Sequence, residues 1–327
     1  MSDEDRLRIR NAPAYPAVST FHSYLQLMRL PAVFTAMADV AMGFLFVQWG
    51  GTQWRPTPSD FATLATLVAA SSLLYLAGMV LNDVFDVEID RRERPERPIP
   101  SGRIPLDAAR RLGWRLLVLG VAVGTGAMVF TGSLRSGVVA AILATAILLY
   151  DAWLKRTPLG PVGMGACRML NVLLGMSAVD PPFHAEQWLV AGAIGVYVAG
   201  ITLFARSETE QSSPLRLTAA TLVMMFGIAM LAWLPCLSDR LVPLLLLQPK
   251  RWYTLVGALG LLIGWRCLRA IRTPTAARVR MAVAHSILSL IMLDAVACYA
   301  TRGLPWAAMI LLFLVPAMFL RRWIQAT

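Results

Sequence analysis

Residues 82 to 103 read Asn-Asp-Val-Phe-Asp-Val-Glu-Ile-Asp-Arg-Arg-Glu-Arg-Pro-Glu-Arg-Pro-Ile-Pro-Ser-Gly-Arg and end a long apolar segment in a dense cluster of carboxylates and guanidiniums. If the helix leading in from Phe61 continues, a turn of about 100° per residue sets Asp83, Asp86 and Asp90 within roughly 60° of arc, with Glu88 on another face. Carboxylates sharing one stripe repel unless a cation sits among them. Hard oxygen donors without His or Cys suit Mg²⁺ bridged to a phosphate-bearing substrate, and the arginines that follow suit the same anion. A plainer reading is a membrane helix that ends in charges where it meets water, with Asp and Arg simply solvated and paired.

The order of the residues favours the first reading. The carboxylates recur at i, i+3 and i+7, Asn82 precedes them, and Arg94 to Gly102 follow as Arg-Pro-x-Arg-Pro-Ile-x-x-Gly. This stretch resembles the first aspartate-rich motif of the UbiA superfamily of intramembrane prenyltransferases, Asn-Asp-x-x-Asp-x-x-x-Asp followed by an Arg-Pro-rich loop. The resemblance implies an all-α polytopic membrane bundle, Mg²⁺ as cofactor and a prenyl diphosphate as substrate. It makes Asp83, Asp86 and Asp90 catalytic metal ligands and assigns Asn82, Arg94 and Arg97 to substrate binding.

A second cluster, residues 150 to 160, reads Tyr-Asp-Ala-Trp-Leu-Lys-Arg-Thr-Pro-Leu-Gly. Alone it would be an interfacial aromatic belt followed by a basic loop. Superfamily members carry a Tyr and a Lys here, and the haem O synthase branch has a similar spacing and Lys-Arg-x-Thr-Pro-Leu run. By that likeness Lys155 holds the diphosphate with help from Arg156, and Tyr150 lines the reacting end. Asp151, at i, i+4 from Lys155, is placed to pair with it or to join a metal site. Arg168 and Asn171 lie inside an apolar stretch, where polar groups are costly in lipid, and are expected to face a substrate cavity.

A third cluster, residues 202 to 210, reads Thr-Leu-Phe-Ala-Arg-Ser-Glu-Thr-Glu. In the superfamily this is the second aspartate-rich motif, which holds another Mg²⁺. Glu208 and Glu210 fall near its later acidic positions, whereas Ile201 or Thr202 occupies the first aspartate position. On a continuing helix the two glutamates lie about 200° apart, so both face one metal only if the helix ends before them. An ordinary charged loop is the alternative. The glutamates, with a span beyond the superfamily's nine, resemble a divergent branch, the UbiA-like EboC proteins.

The chemistry implied by the resemblance is Mg²⁺-dependent transfer of an isoprenyl group to a lipophilic, often aromatic, acceptor within the membrane. The alternative from another class is a membrane carrier or scaffold that binds a polyprenyl or lipid phosphate without transferring it, favoured by the degenerate third cluster. A transporter is a weaker reading, because the charges lie at span ends and not near the midplane.

These side chains need a membrane bundle to position them. In 327 residues, 57% are hydrophobic and 15% charged, more apolar sequence than a soluble domain requires. A net charge of +11 would suit nucleic acid on a soluble module, but here the basic residues lie between apolar segments. Cys167, Cys236, Cys267 and Cys298 are scattered in apolar stretches, which suggests buried thiols and no zinc site or disulfide framework. His22, His184 and His285 form no metal-binding spacing. The polar start, Met1 to Arg10, is unlike a cleaved signal peptide.

Ten helical spans are expected, about 25 to 48, 61 to 83, 112 to 131, 135 to 153, 161 to 179, 187 to 206, 216 to 237, 252 to 271, 280 to 300 and 304 to 320. Acidic-polar regions following spans 2 and 6 suggest two similar four-helix halves. Residues 1–20 read as a cytoplasmic arm, 21–300 as the prenyltransferase-like domain and 301–327 as an additional helix and tail. Of the 30 Lys and Arg, 22 fall on the side holding both termini and all three clusters, which makes that side cytoplasmic. Trp49, Trp114, Trp153, Trp188, Trp252 and Trp306 fall at expected span ends, as an interfacial belt. Oligomeric state is not legible.

Overall fold

The computed structural model describes residues 20–48, 54–179, 183–206, 213–237 and 249–326, and every regular element among them is helical. The bundle helices are α1 (Val33–Val47), α2 (Pro58–Phe85), α3 (Leu106–Gly126), α4 (Arg135–Ala152), α5 (Gly160–Met176), α6 (Ala185–Ala205), α7 (Pro214–Ala232), α8 (Pro249–Arg272), α9 (Ala276–Arg302), α10 (Leu304–Leu311) and α11 (Leu314–Ala326). Among the described residues nine segments are long and apolar enough to cross a membrane, α10 and α11 counting as one. The remaining expected span, α5, has 17 residues and carries Arg168 and Asn171. It lies against α1, α4 and α6, so protein and not lipid surrounds its polar groups.

Local signals start these helices where they are needed. Thr57 and Asp60 form a reciprocal capping box before α2, with Pro58 in the first turn. The 28 residues of α2 rise about 42 Å, against about 30 Å of hydrocarbon. Polar residues therefore fit at both ends, Ser59 and Asp60 at one, Asn82 and Asp83 at the other. Thr275 caps α9, and Gly303 ends it at φ 78°, a left-handed conformation that favours glycine.

The packing follows a repeat. The most extensively packed neighbours are α2 with α3 and α6 with α7, corresponding members of two four-helix halves, α1–α4 and α5–α8. The leading helices α1 and α5 pack on each other and join the halves, and α9 closes the bundle against α1, α6 and α8. Lipid gives little hydrophobic drive between helices, so close backbone approach matters. A Cβ at Gly165 of α5 would lie 2.5 Å from the Gly195 carbonyl oxygen of α6, and one at Gly195 would lie 2.9 Å from that of Gly165.

Three expectations need correction. The first span is not one helix from 25 to 48: a short helix (Thr20–Leu27) is followed by a break and a 3-10 turn (Leu30–Ala32) before α1. Pro31 lacks an amide hydrogen and restricts Leu30, and Arg29 takes a left-handed φ of 45°. The last span is interrupted between Leu311 and Leu314, because Pro316 has no N–H for the Leu312 carbonyl. Trp252 is fully buried in the core and does not belong to an interfacial belt.

Candidate active site

The helical hydrogen bonds of α2 carry through its charged end: the Asp86 N–H donates to the Asn82 carbonyl at 3.0 Å and the Asp90 N–H to the Asp86 carbonyl at 2.8 Å. Asp86 departs from helical dihedrals (φ −96°, ψ 3°) and begins the short helix Val87–Glu93. Asp83 and Asp90 are both buried and meet at one guanidinium, with Arg97 Nη1 at 2.6 Å from Asp90 Oδ2 and 3.4 Å from Asp83 Oδ1. Arg29 Nη2 reaches the same Asp83 oxygen at 3.0 Å. Glu88 is exposed on another face and pairs with Arg91.

The Arg-Pro loop is pinned from below. Ile99 and Ile104 are buried with Leu27, Val80, Val84, Val87 and Ala109, and Gly102 adopts φ 76° in the turn between them. With these pegs inserted, Arg94 and Arg97 border the cavity.

Residues 150 to 160 close the other side. α4 ends at Ala152, and the 3-10 turn Leu154–Arg156 directs Lys155 Nζ to 2.8 Å from Asp86 Oδ2. Arg156 Nη2 donates to the Phe85 carbonyl at 3.0 Å and lies 3.5 Å from Asp86 Oδ1. The expected pairing of Asp151 with Lys155 is not formed. Asn82 Nδ2 donates to Asp151 Oδ1 at 2.8 Å, while Asp151 Oδ2 is buried with no donor among the described residues. At the end of α6, Arg206 Nη2 donates to the Lys155 and Thr157 carbonyls, each at 2.8 Å. Side-chain bonds thereby tie the ends of α2, α4 and α6 together.

These groups surround the mouth of a cavity of about 680 Å³. Asn82, Asp86, Asp90, Arg94, Arg97, Tyr150, Lys155 and Arg156 line it, and the walls turn apolar through Leu74, Leu143, Ile147, Val198, Ile287 and Leu290. Arg168 and Asn171 border it as well, as their cost in lipid implied, together with Tyr75. Asp83 is brought in by its neighbours without lining the space. Ile201 and Thr202 line the wall where the superfamily has its first second-motif aspartate. Glu208 and Glu210 lie outside the described residues.

Sequence reasoning missed three groups. Arg29, inside the expected first span and given no role there, holds Asp83. Asp39 and Asp294, buried on α1 and α9, passed unmarked, although acidic residues inside apolar spans invite the same cost argument that singled out Arg168 and Asn171.

Among the described residues no three carboxylate, imidazole or thiolate groups are gathered as a metal cage. Each motif aspartate is turned toward Arg or Lys instead. The donor set fits Mg²⁺ all the same: it is all oxygen, and Asp83 and Asp90 converge on one position, held here by the Arg97 guanidinium, where a hard divalent cation would take its place.

A family model described as the UbiA prenyltransferase family matches residues 40–288. Over 169 residues the chain is 31% identical to the digeranylgeranylglyceryl phosphate synthase of Saccharolobus solfataricus, covering 51% of this chain and 54% of the relative. Over 92 residues it is 45% identical to that of Methanoregula boonei, covering 28% and 31%. The chain thus matches about half the length of these curated relatives, or less. Among solved structures, one of digeranylgeranylglyceryl phosphate synthase in membranes aligns with a TM-score of 0.59 at 20% identity, covering 92% of this chain and 99% of that one. A UbiA homolog from Archaeoglobus fulgidus aligns with a TM-score of 0.61 at 13% identity, covering 88% and 99%. The same homolog bound to DMAPP and Mg²⁺ aligns at 0.53, with 13% identity over 84% and 99%. At these identities the structural likeness speaks for the fold. The family match spans most of the bundle, including the aspartates of α2, and this chain belongs to the UbiA prenyltransferase family.

Proposed function

We propose that the chain transfers an isoprenyl group from a prenyl diphosphate to a lipophilic acceptor within the membrane. The observation carrying this reading is the union of Asp83, Asp86 and Asp90 with Arg97, Lys155 and Arg156 at the mouth of a cavity that turns apolar inside. Such a mouth suits a charged diphosphate, and such an interior suits an isoprenyl tail. Mg²⁺ bound by Asp83, Asp86 and Asp90, with Glu208 or Glu210 for a second ion, would supply neutralising charge for departing pyrophosphate.

The chain's own residues do the rest. Arg97 and Lys155 exchange their aspartate partners for phosphate oxygens and offset charge as the carbon–oxygen bond breaks. Asn82 fixes Asp151, and Tyr150 borders the reacting end. The apolar wall shields the allylic cation from water until the acceptor attacks. The basic loop count supports a cytoplasmic side for this mouth and for both termini. Residues 21–300 form the transferase unit on this reading, and 301–327 the added helix and tail.

Membranes containing the protein, incubated with labelled geranyl, farnesyl and geranylgeranyl diphosphates plus a host lipid extract, are expected to form a Mg²⁺-dependent prenylated lipid. The presence of Ile201 and Thr202 at the cavity wall favours a second reading, a carrier or scaffold that binds a prenyl phosphate without transferring it. Saturable donor binding with no product from any host lipid fraction would select that reading.

A further inference from the structure

Behind the inner wall of the cavity, Asp39 of α1 and Asp294 of α9 are both fully buried. Asp39 Oδ2 is well served: Arg168 Nη1 donates to it at 2.7 Å and Asn171 Nδ2 at 3.1 Å. Arg168 Nη2 donates to Thr35 Oγ1 at 2.8 Å, and the guanidinium lies over the Tyr75 ring, 5.4 Å from its centroid. Asp39 Oδ1 and both oxygens of Asp294 are buried with no donor among the described residues. The two carboxyls nevertheless lie within hydrogen-bonding reach of each other.

Two deficits coincide here. Three buried acceptor oxygens lack a hydrogen, which is costly away from water. Charge is also unbalanced. Arg168 from α5 is the cation facing the pair, Tyr75 from α2 and Cys298 on α9 are its other titratable neighbours, and two ionised aspartates would leave one negative charge over. A single proton between the carboxyls restores the charge balance and serves two of the three oxygens, one as its bonded atom and one as its acceptor.

We propose that Asp294 carries that proton and donates it to Asp39 Oδ1, so that Asp39, Asp294 and Arg168 form a neutral, proton-loaded site behind the cavity wall. Asp39 is the ionised partner because it receives the guanidinium and the amide, whereas Asp294 receives neither. Arg168 and Asn171 border the cavity, and Asp39 and Asp294 do not, so the two acids are positioning residues that fix how that wall stands. A wall held this way offers hydrogen bonds without net charge. It suits the uncharged hydrogen-bonding end of a ligand, whether that ligand is transferred or only carried, and leaves anionic groups to the mouth.

Infrared spectroscopy of the purified full chain in lipid vesicles at neutral pH tests the assignment. The wild type is expected to show a carboxylic-acid carbonyl band that shifts in heavy water, and Asp294→Asn to lose it. That variant should keep the wild-type melting temperature and its affinity for geranyl diphosphate with Mg²⁺ to within about twofold, because the amide N–H reproduces the acid's O–H. Asp294→Leu should lose the band and melt lower. A wild type without an acid band overturns the proposal even if no variant folds. So does a band that survives Asp294→Asn, or a melting temperature that depends on sodium, which would assign the site to a metal cation. Failure of the wild type to bind geranyl diphosphate would defeat the transferase reading and leave the infrared result standing.

Discussion

The two acid–base clusters of this bundle use the same residue types at different depths of one cavity, under different constraints. At the mouth, Asp83, Asp86 and Asp90 face Arg29, Arg97, Lys155 and Arg156; the Arg29 and Arg156 side chains keep 43% and 51% of their surface exposed, whereas Arg97 and Lys155 keep 20% and 10% and line the cavity beside them. The outer contacts of Arg29 and Arg156 lie close to water and are worth little to stability, and the deeper Arg97 and Lys155 border the cavity, where phosphate oxygens can take the place of their carboxylate partners. At the inner wall, Arg168 is 12% and Asp39 0% exposed, and Thr35, Asn171 and Tyr75 crowd around them. A pair this deep cannot be separated without leaving a buried charge behind. The mouth is built to exchange partners and the inner wall to keep them.

The sharpest way to break this comparison is to remove the inner cation. Arg168→Met leaves Asp39 facing Asp294 with no positive charge, and breaking a buried pair costs about 3–5 kcal/mol. A large fall in melting temperature, followed by thermal unfolding in detergent, is expected. An unchanged melt would mean that the inner cluster is as open as the mouth.

The mouth should respond differently. Asp83→Asn and Asp90→Asn are each expected to lower melting by less than Arg168→Met does, because the remaining guanidinium still borders the cavity, and to weaken Mg²⁺-dependent binding of geranyl diphosphate by about tenfold or more, roughly 1.4 kcal/mol. Isothermal titration beside a melt measures both quantities. Lys155→Met should weaken donor binding by about tenfold, as expected for a charge-assisted contact, and Arg156→Met by less, since its side chain is half exposed. Equal losses would place both cations at the same depth.

The smallest expected effect concerns the second acidic region. If Glu208 or Glu210 holds a second ion, its change to Gln should slow turnover more than it weakens donor binding. Only one of the two should matter, and Glu208 is the expected one, because it aligns better with the family's ligand position.

Much of this arrangement is legible in the sequence because membrane physics limits the choices. Apolar runs of the right length can only be helices, and the i, i+3, i+7 aspartates must share a stripe when the helix continues, as the hydrogen bonds of Asn82 and Asp86 show that it does. The breaks at Arg29 and Phe313 were harder to place, since Pro31 and Pro316 disturb helices inside otherwise uniform apolar runs. Which cation meets which aspartate was not legible. Lys155 lies four residues from Asp151 and suggests a local pair, yet the turn at Leu154–Arg156 carries it across to Asp86. The Asp39–Asp294 contact joins residues on the first and ninth spans, and no local pattern announces a contact of that range. Only the cost of each acid in lipid marks it.

On this account the Asp-Arg-Lys mouth is a Mg²⁺-dependent prenyl diphosphate site. Titration of geranyl diphosphate into the purified full chain, with Mg²⁺ and again after chelation by EDTA, tests it most directly. Saturable binding that is lost on chelation, and lost in a triple variant carrying Asp83→Asn, Asp86→Asn and Asp90→Asn that still unfolds cooperatively, is the predicted result. Affinity that persists without Mg²⁺ and in the triple variant would contradict it.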